Sequence, residues 1–342
     1  MTRFDWVTLG CIAASKTSIL SQILTKGPQV VLASIQEPDF TKARKQAEIE
    51  LSRTDITIIT QEDDTYPKSL LNIDSPPACL FIHGEIPIGH AIAIVGTRKA
   101  TPGGLGIARV LASDIARAGF VIVSGMADGI DSAAHLGAID GNGKTIAVLG
   151  SGLGENKSSQ KQMMRDKIKQ NGAIITEFPW DFYGATWNFP WRNRIIAALS
   201  DATLVIEAPE SSGALITARF ASDLGKPVMA CPGLPGMSSF TGCNKLIKDG
   251  AILVDSLEDV LDVFGVKPHA IEASVSEYES IILNLISEPA NLDIVCEKSG
   301  MPAEAVMSIL TVLDLKGLVK RLPGGLYLKS SFSNTKGRKD KR

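Results

Sequence analysis

Apolar and polar positions change their rhythm twice along the chain. Near the start, apolar residues recur at helical spacing through Trp6, Leu9, Ile12 and Ala13, then through Ile19, Leu20, Ile23 and Leu24. Gly27-Pro28 interrupts that pattern, because proline lacks an amide donor and glycine frees the backbone. Thr41 to Arg53 reads as a charged helix and Ile56 to Thr60 as a short strand, followed by Tyr66-Pro67 and Pro76-Pro77. Residues 1–80 are therefore expected to form a small helical module and a connector.

From Ala91 the rhythm becomes one of short, continuously apolar runs: Ala91–Val95, Phe120–Ser124, Thr145–Leu149, Ala173–Phe178, Ala202–Ala208, Pro227–Cys231 and Ala251–Val254. A strand covered on one face alternates, whereas these runs do not, so both faces are expected to be covered. Helical patterns at Leu105–Ala118 and Ala214–Leu224 lie between them. The alternation predicts an α/β fold, an extended Rossmann-like, doubly wound and mostly parallel sheet over residues 81–267. Its ligand crevice belongs at the carboxyl ends of the strands.

After the polar stretch His269–Ser276 the rhythm changes again. Helices are expected at Tyr278–Ile286, Leu292–Ser299 and Ala303–Lys316, with Gly317 ending the third. Leu318–Arg321 and Leu326–Leu328 then form a hairpin around Pro323-Gly324-Gly325. Three helices and a two-stranded wing over residues 277–329 describe a winged helix. Met307, Leu310 and Leu313 read as its core. Residues 330–342, ending Lys-Gly-Arg-Lys-Asp-Lys-Arg, read as a basic disordered tail.

Composition narrows the classes. Of 342 residues 44% are hydrophobic and 21% charged, and the net charge is −2, so any phosphate-binding potential has to be local. The five cysteines and four histidines show no ligand spacing, and no metal or cofactor is expected. Scattered cysteines suit a reducing compartment. Without a signal-like start or a long apolar run, the expected location is the cytoplasm, away from any membrane.

The candidate chemistry sits at the strand exits. Gly96, Thr97 and Arg98 follow the first apolar run, where glycine permits close approach of a ligand. Exposed amides, the Thr97 hydroxyl and a forked guanidinium suit a phosphate there. Ser124 and Gly125 end the second run and point to the same crevice edge. Asp131 and His135 lie four apart, and an aspartate at a helix start beside a hydrogen-bonded histidine is favoured over an acid–base pair. In Phe189-Pro190-Trp191-Arg192-Asn193-Arg194, Arg192 and Arg194 can neutralise phosphates and an aromatic face can stack a base. Asn193 can read a base edge or hold the loop. Ser212, Gly213 and Thr217 open a later helix toward the crevice. Gly103-Gly104-Leu105-Gly106 fails as a dinucleotide fingerprint, since position 109 is Arg and the expected acidic ribose partner is Ser124. No histidine stands in a triad-like setting beside Ser211 or Ser212, and Cys231 lacks a local base.

Taken in order from Val95 to Ile247, these motifs resemble the DNA-processing protein A family, also called DprA or Smf. They are Val95-Gly96-Thr97-Arg98, Ser124-Gly125-Met126-Ala127-Asp128-Gly129-Ile130-Asp131, Ala134-His135, Phe189 through Ile196, Glu207-Ala208, Ser212 through Ala218, Pro232-Gly233 and Gly242 through Ile247. The resemblance implies a homodimeric single-stranded DNA binder that protects incoming DNA during natural transformation and loads the RecA recombinase, with no catalytic residues. It also implies an N-terminal sterile-alpha-like module. By motif, Gly96, Thr97 and Arg98 would hold backbone phosphates, and Ser124, Gly125, Asn193, Arg194, Ser212 and Gly213 would line the same groove. Asp128 and Trp191 depart from the family, which usually has a basic residue at the first position and often at the second. Trp191 is then a candidate base-stacking residue. The segment Glu155–Gln160 lacks the family's Tyr-Pro pair.

Two other classes compete. A nucleotide-binding or nucleoside-monophosphate-hydrolysing Rossmann enzyme needs a carboxylate pair around an N-glycosidic bond, and Pro102-Gly103-Gly104-Leu105-Gly106-Ile107 mimics only part of its glycine signature. A duplex-reading winged helix wants basic and amide side chains on its third helix. That helix offers Lys316 against Glu304 and Asp314, so an accessory or protein-contact role is expected for the unit.

Overall fold

The computed structural model describes residues 1–154, 158–266, 276–315, 318–322 and 324–329. The expected linker around His269, the turn residue Pro323, Lys316-Gly317 and the tail 330–342 lie outside them. Contacts divide the chain into two compact units at Asp255/Ser256.

The first unit opens with four helices, α1 (Arg3–Ala13), α2 (Ser18–Lys26), α3 (Pro28–Ala33) and α4 (Asp39–Leu51). Thr2 and Asp5 form a reciprocal cap that fixes the start of α1. Trp6, Leu9, Ile12, Ile19, Leu20 and Ile23 bury the helical stripe read from the sequence, in one cluster.

Nine strands follow in a single sheet: β1 (Thr57–Thr60), β2 (Cys79–Gly84), β3 (Ala91–Val95), β4 (Val121–Ser124), β5 (Thr145–Val148), β6 (Gly172–Thr176), β7 (Ala202–Val205), β8 (Val228–Ala230) and β9 (Ile252–Leu253). The order is β1-β2-β6-β5-β4-β3-β7-β8-β9. From β6 to β9 every pair is parallel, while β1 with β2 and β2 with β6 are antiparallel. β2, which was not expected as a strand, straddles the boundary drawn at residue 80, and its Leu80 and Phe81 are fully buried. The crossovers are α5 (Pro102–Arg117), α6 (Ile130–Asp140), α7 (Ser159–Gln170), α8 (Asn188–Leu199), α9 (Ala214–Asp223) and α10 (Thr241–Lys248). Ile92, Ala93 and Ile94 of β3 are all at 0% exposure, as a strand covered on both faces requires. Each such isoleucine contributes about 1.5–3 kcal/mol by leaving water.

β3 is the hinge of the topology. The chain runs from β3 through β4 and β5 to β6 on one side, then returns through α8 to β7 on the other side of β3. That switch point opens a crevice at the carboxyl ends of β3 and β7.

The second unit begins with α11 (Leu257–Val263), capped by Ser256 and Asp259. The winged helix comprises α12 (Glu277–Leu285), α13 (Leu292–Ser299), α14 (Ala303–Leu315) and the strands β10 (Ala290–Asn291), β11 (Val319–Leu322) and β12 (Leu326–Lys329). Its sheet has three strands, β10-β12-β11, where two were expected. Leu310 and Leu313 are in the core, but Met307 is 47% exposed, a correction to its expected burial. Asp314 of α14 is paired with Arg321 at 3.2 Å. No helix among the described residues is long and apolar enough to cross a membrane.

Candidate functional site

A cleft of about 340 Å³ lies at the switch point, between the exits of β3 and β7 and the start of α8. Gly96, Thr97, Arg98, Arg192, Asn193, Ser212, Gly213 and Thr217 line it together, so eight of the eleven residues singled out from the sequence converge there. A second bay of about 130 Å³ adjoins it and contains Gly125. The bays share Arg98, Ala127, Phe189 and Arg192, which makes one groove of two chambers.

The turn after β3 is tightly packed at Gly96 and against Gly129. A Cβ on Gly96 would meet Ile130 at 2.5 Å and the Glu207 carbonyl at 2.8 Å. Gly129, at φ +83°, packs on the Thr97 carbonyl, a conformation and a contact that exclude other residues. Arg98 and Lys99 emerge exposed from this rigid turn. The Arg98 guanidinium sits 5.1 Å from the centre of the Phe189 ring, giving a charge beside an aromatic face.

Several amides expected to cradle a phosphate are already engaged. The Thr97 amide donates to the Glu207 carbonyl at 2.7 Å, and the Thr97 hydroxyl accepts from the Lys99 amide at 3.2 Å. The amides of Gly125 and Ala127 donate to the Asp131 carboxylate at 3.2 and 3.4 Å. Asp131 therefore fills the anion nest of that turn itself, at the positive end of α6. Burial raises its pKa, and the neighbouring Arg192 opposes the rise.

Arg192 is 3% exposed and lies beneath the groove as its floor. Its guanidinium donates to the carbonyls of Gly125, at 2.8 Å, and Val148. It occupies the space a Gly125 side chain would take, since a Cβ there would lie 2.5–2.7 Å from it. Burial lowers its pKa to about 10, so it stays charged at neutral pH. Asn193 accepts from Arg192 Nε at 3.1 Å and donates to the Gly213 carbonyl at 3.2 Å, so it holds the entrance of α9 against α8. These contacts match the loop-holding reading of Asn193, which also lines the cleft.

Two expected residues lie away from the cleft. Ser124 is fully buried and its hydroxyl donates to the Ile94 carbonyl at 2.6 Å, tying β4 to β3. Arg194 is 3% exposed and makes a two-pronged pair with Glu177, both contacts at 2.6 Å, while its Nε donates to the Ser75 carbonyl. Helix periodicity explains the difference, because residues 192 and 194 face roughly opposite sides of α8. Trp191 packs against the N-terminal helical cluster with Arg194 4.2 Å from its ring, which removes it as a base-stacking surface. His135 is fully buried and hydrogen-bonded to Thr145 at 2.7 Å, so with Asp131 it forms no acid–base pair. Glu207 is likewise internal, accepting from the Thr101 amide and hydroxyl.

Sequence reasoning missed Lys99 and Lys161. Lys161 lies on α7, a helix too polar to show a stripe, and reaches the second bay from the far side of the sheet order.

Together these features define a Rossmann-type protein with a two-chambered groove at its switch point, rimmed by Arg98 and Lys99, and with a winged helix in its second unit. The chain matches the family described as DNA recombination-mediator protein A over residues 57–265, and the DprA winged helix domain over residues 266–325. It is 37% identical to Protein Smf of Escherichia coli over 284 residues, covering 78% of this chain and 76% of that one. It is 37% identical to DNA processing protein DprA of Bacillus subtilis over 210 residues, 60% of this chain and 71% of that one. Among solved structures it is similar to DNA processing protein A from Streptococcus pneumoniae, with TM-score 0.65 and 29% identity over 77% of this chain and 98% of that one. It is also similar to the Helicobacter pylori protein, whose structure concerns a single-stranded DNA binding mode, with TM-score 0.54 and 30% identity over 61% and 95%. The chain belongs to the DNA recombination-mediator protein A family, the DprA/Smf proteins.

Proposed function

We propose that the protein binds single-stranded DNA in the two-chambered groove, acting as a recombination mediator rather than an enzyme. In this reading it works as a homodimer in the cytoplasm, protects incoming DNA during natural transformation and loads RecA. One observation carries the binding site: Arg98 projects from the turn packed through Gly96 and Gly129, beside the Phe189 face, where a phosphate and a base of one strand can be met together. Asp131 and Glu207 support binding over hydrolysis, because both carboxylates are committed to the protein's own donors. The Helicobacter relative, a single-strand binder by description, supports the choice of ligand.

The test is a titration of fluorescent oligo-dT and its duplex form at two salt concentrations, with Arg98→Ala beside the wild type. Expected are preference for the single strand and weakening by salt. Arg98→Ala should bind roughly three- to tenfold more weakly, with a log–log salt slope shallower by about 0.7 for one lost phosphate. Equal binding by variant and wild type would move the site elsewhere.

A further inference from the structure

The second bay carries an ion pair on its rim that the single-strand reading does not by itself use. Lys161, from α7, meets both carboxylate oxygens of Asp128, from the turn before α6, at 3.2 and 3.3 Å. Lys161 is 38% and Asp128 68% exposed, so neither holds the fold together. Below them lie Gly125, Gly150 and Ser151, and the wall shared with the main cleft carries Arg98 and Phe189. Asp128 thus places an anion on the rim of the bay that adjoins the main cleft. Arg192 beneath is committed to carbonyls and to the field of Asp131. Lys161 is then a half-buried cation on the side of this bay opposite the wall that carries the exposed Arg98, and Asp128 competes for it.

We propose that the second bay is a phosphodiester subsite in which Lys161 is the counter-charge and Asp128 a built-in competitor that limits affinity for the strand. The inference rests on the groove being the single-strand site. As the strand enters, its phosphate exchanges for the Asp128 carboxylate at Lys161. The uncompensated Asp128 then faces the phosphate across a few ångströms of water. Such repulsion is modest in solvent, so the effect is one of degree.

The experiment uses the full chain, oligo-dT and a salt series on Asp128→Asn, Lys161→Gln, the double variant and Arg98→Ala. Asp128→Asn is expected to tighten binding roughly three- to tenfold. Lys161→Gln is expected to weaken it about threefold and to make the salt slope shallower by about 0.7. In the double variant the gain from Asp128→Asn should shrink by at least half, because the two residues act on one phosphate. If Arg98→Ala binds more weakly than the wild type, as expected, but Asp128→Asn stays within a factor of two of the wild type, the subsite is refuted and the groove stands. If Asp128→Asn tightens binding equally with and without Lys161, the counter-charge role is refuted. If the wild type binds no single strand, the groove reading fails and the subsite with it.

Discussion

Arg194 gives the sharpest separation of a structural arginine from a ligand-binding one. Its guanidinium holds Glu177 by two contacts of 2.6 Å, with side-chain exposures of 4% and 6%, and holds the Ser75 carbonyl at 3.1 Å. It therefore joins α8, the exit of β6 and the segment ahead of β2. Arg194→Met keeps much of the side-chain volume and removes the charge. Glu177 is then left buried without its partner, which costs about 3–5 kcal/mol. Stability for a domain is about 5–15 kcal/mol, so the variant should fold but melt early, by roughly 6–20 °C for a unit of this size. Circular dichroism melts and a urea midpoint measure this. Arg194→Met combined with Glu177→Leu should recover much of the loss, because an apolar pair replaces the ionic one without an orphan charge. The folded single variant should bind oligo-dT within about twofold of wild type. A variant with unchanged melting and weakened DNA binding would refute the assignment and return Arg194 to the groove.

His135 should set the acid limit of the first unit. Burial lowers its pKa to about 3, while the unfolded chain titrates near 6.5. Above 6.5 both states are neutral and no penalty exists. Below it the unfolded state binds a proton that the folded state refuses, so stability falls as pH drops from about 6.5 toward 3. Urea unfolding should lose about 1.4 kcal/mol between pH 7.5 and 5.5 from this residue, and His135→Gln should flatten that part of the profile. Gly104→Ala would place a methyl on the Glu207 carboxylate and break its bonds to Thr101. A loss of about 1–3 kcal/mol is expected, although alanine is the better helix former, and an unchanged urea midpoint would contradict the packing described.

Much of this architecture was legible in the sequence because parallel strands carry their signature locally. The apolar runs 91–95, 121–124 and 145–148 needed no knowledge of their neighbours. β2 was missed because Pro76-Pro77 read as the end of a connector, and its place beside β6 depends on residues far along the chain. The winged helix was legible for the same reason as the sheet, except for two-residue β10, which exists only as a partner of β12. The groove was read in outline from its glycines and polar exits. Which atoms remain available for a ligand was not legible. Ser124 and Arg194 look like donors in sequence, but Ile94 and Glu177, the groups that consume them, are set by strand neighbours and helix phase. Lys161 escaped for the converse reason, since nothing local distinguishes it from the other cations of α7.

The strand order bears on how the chain is made. β2 is synthesised before the three central strands, yet its neighbour in the sheet is β6. Until Gly172–Thr176 leaves the ribosome, the β2 edge of the β1–β2 pair lacks its partner strand, although Phe81 and Leu80 already have Val7, Ala47, Tyr66 and Leu70 to pack on. The nascent protein thus spends the synthesis of β3, α5, β4, α6, β5 and α7 with a strand edge in waiting, the interval in which it is most exposed to wrong partners.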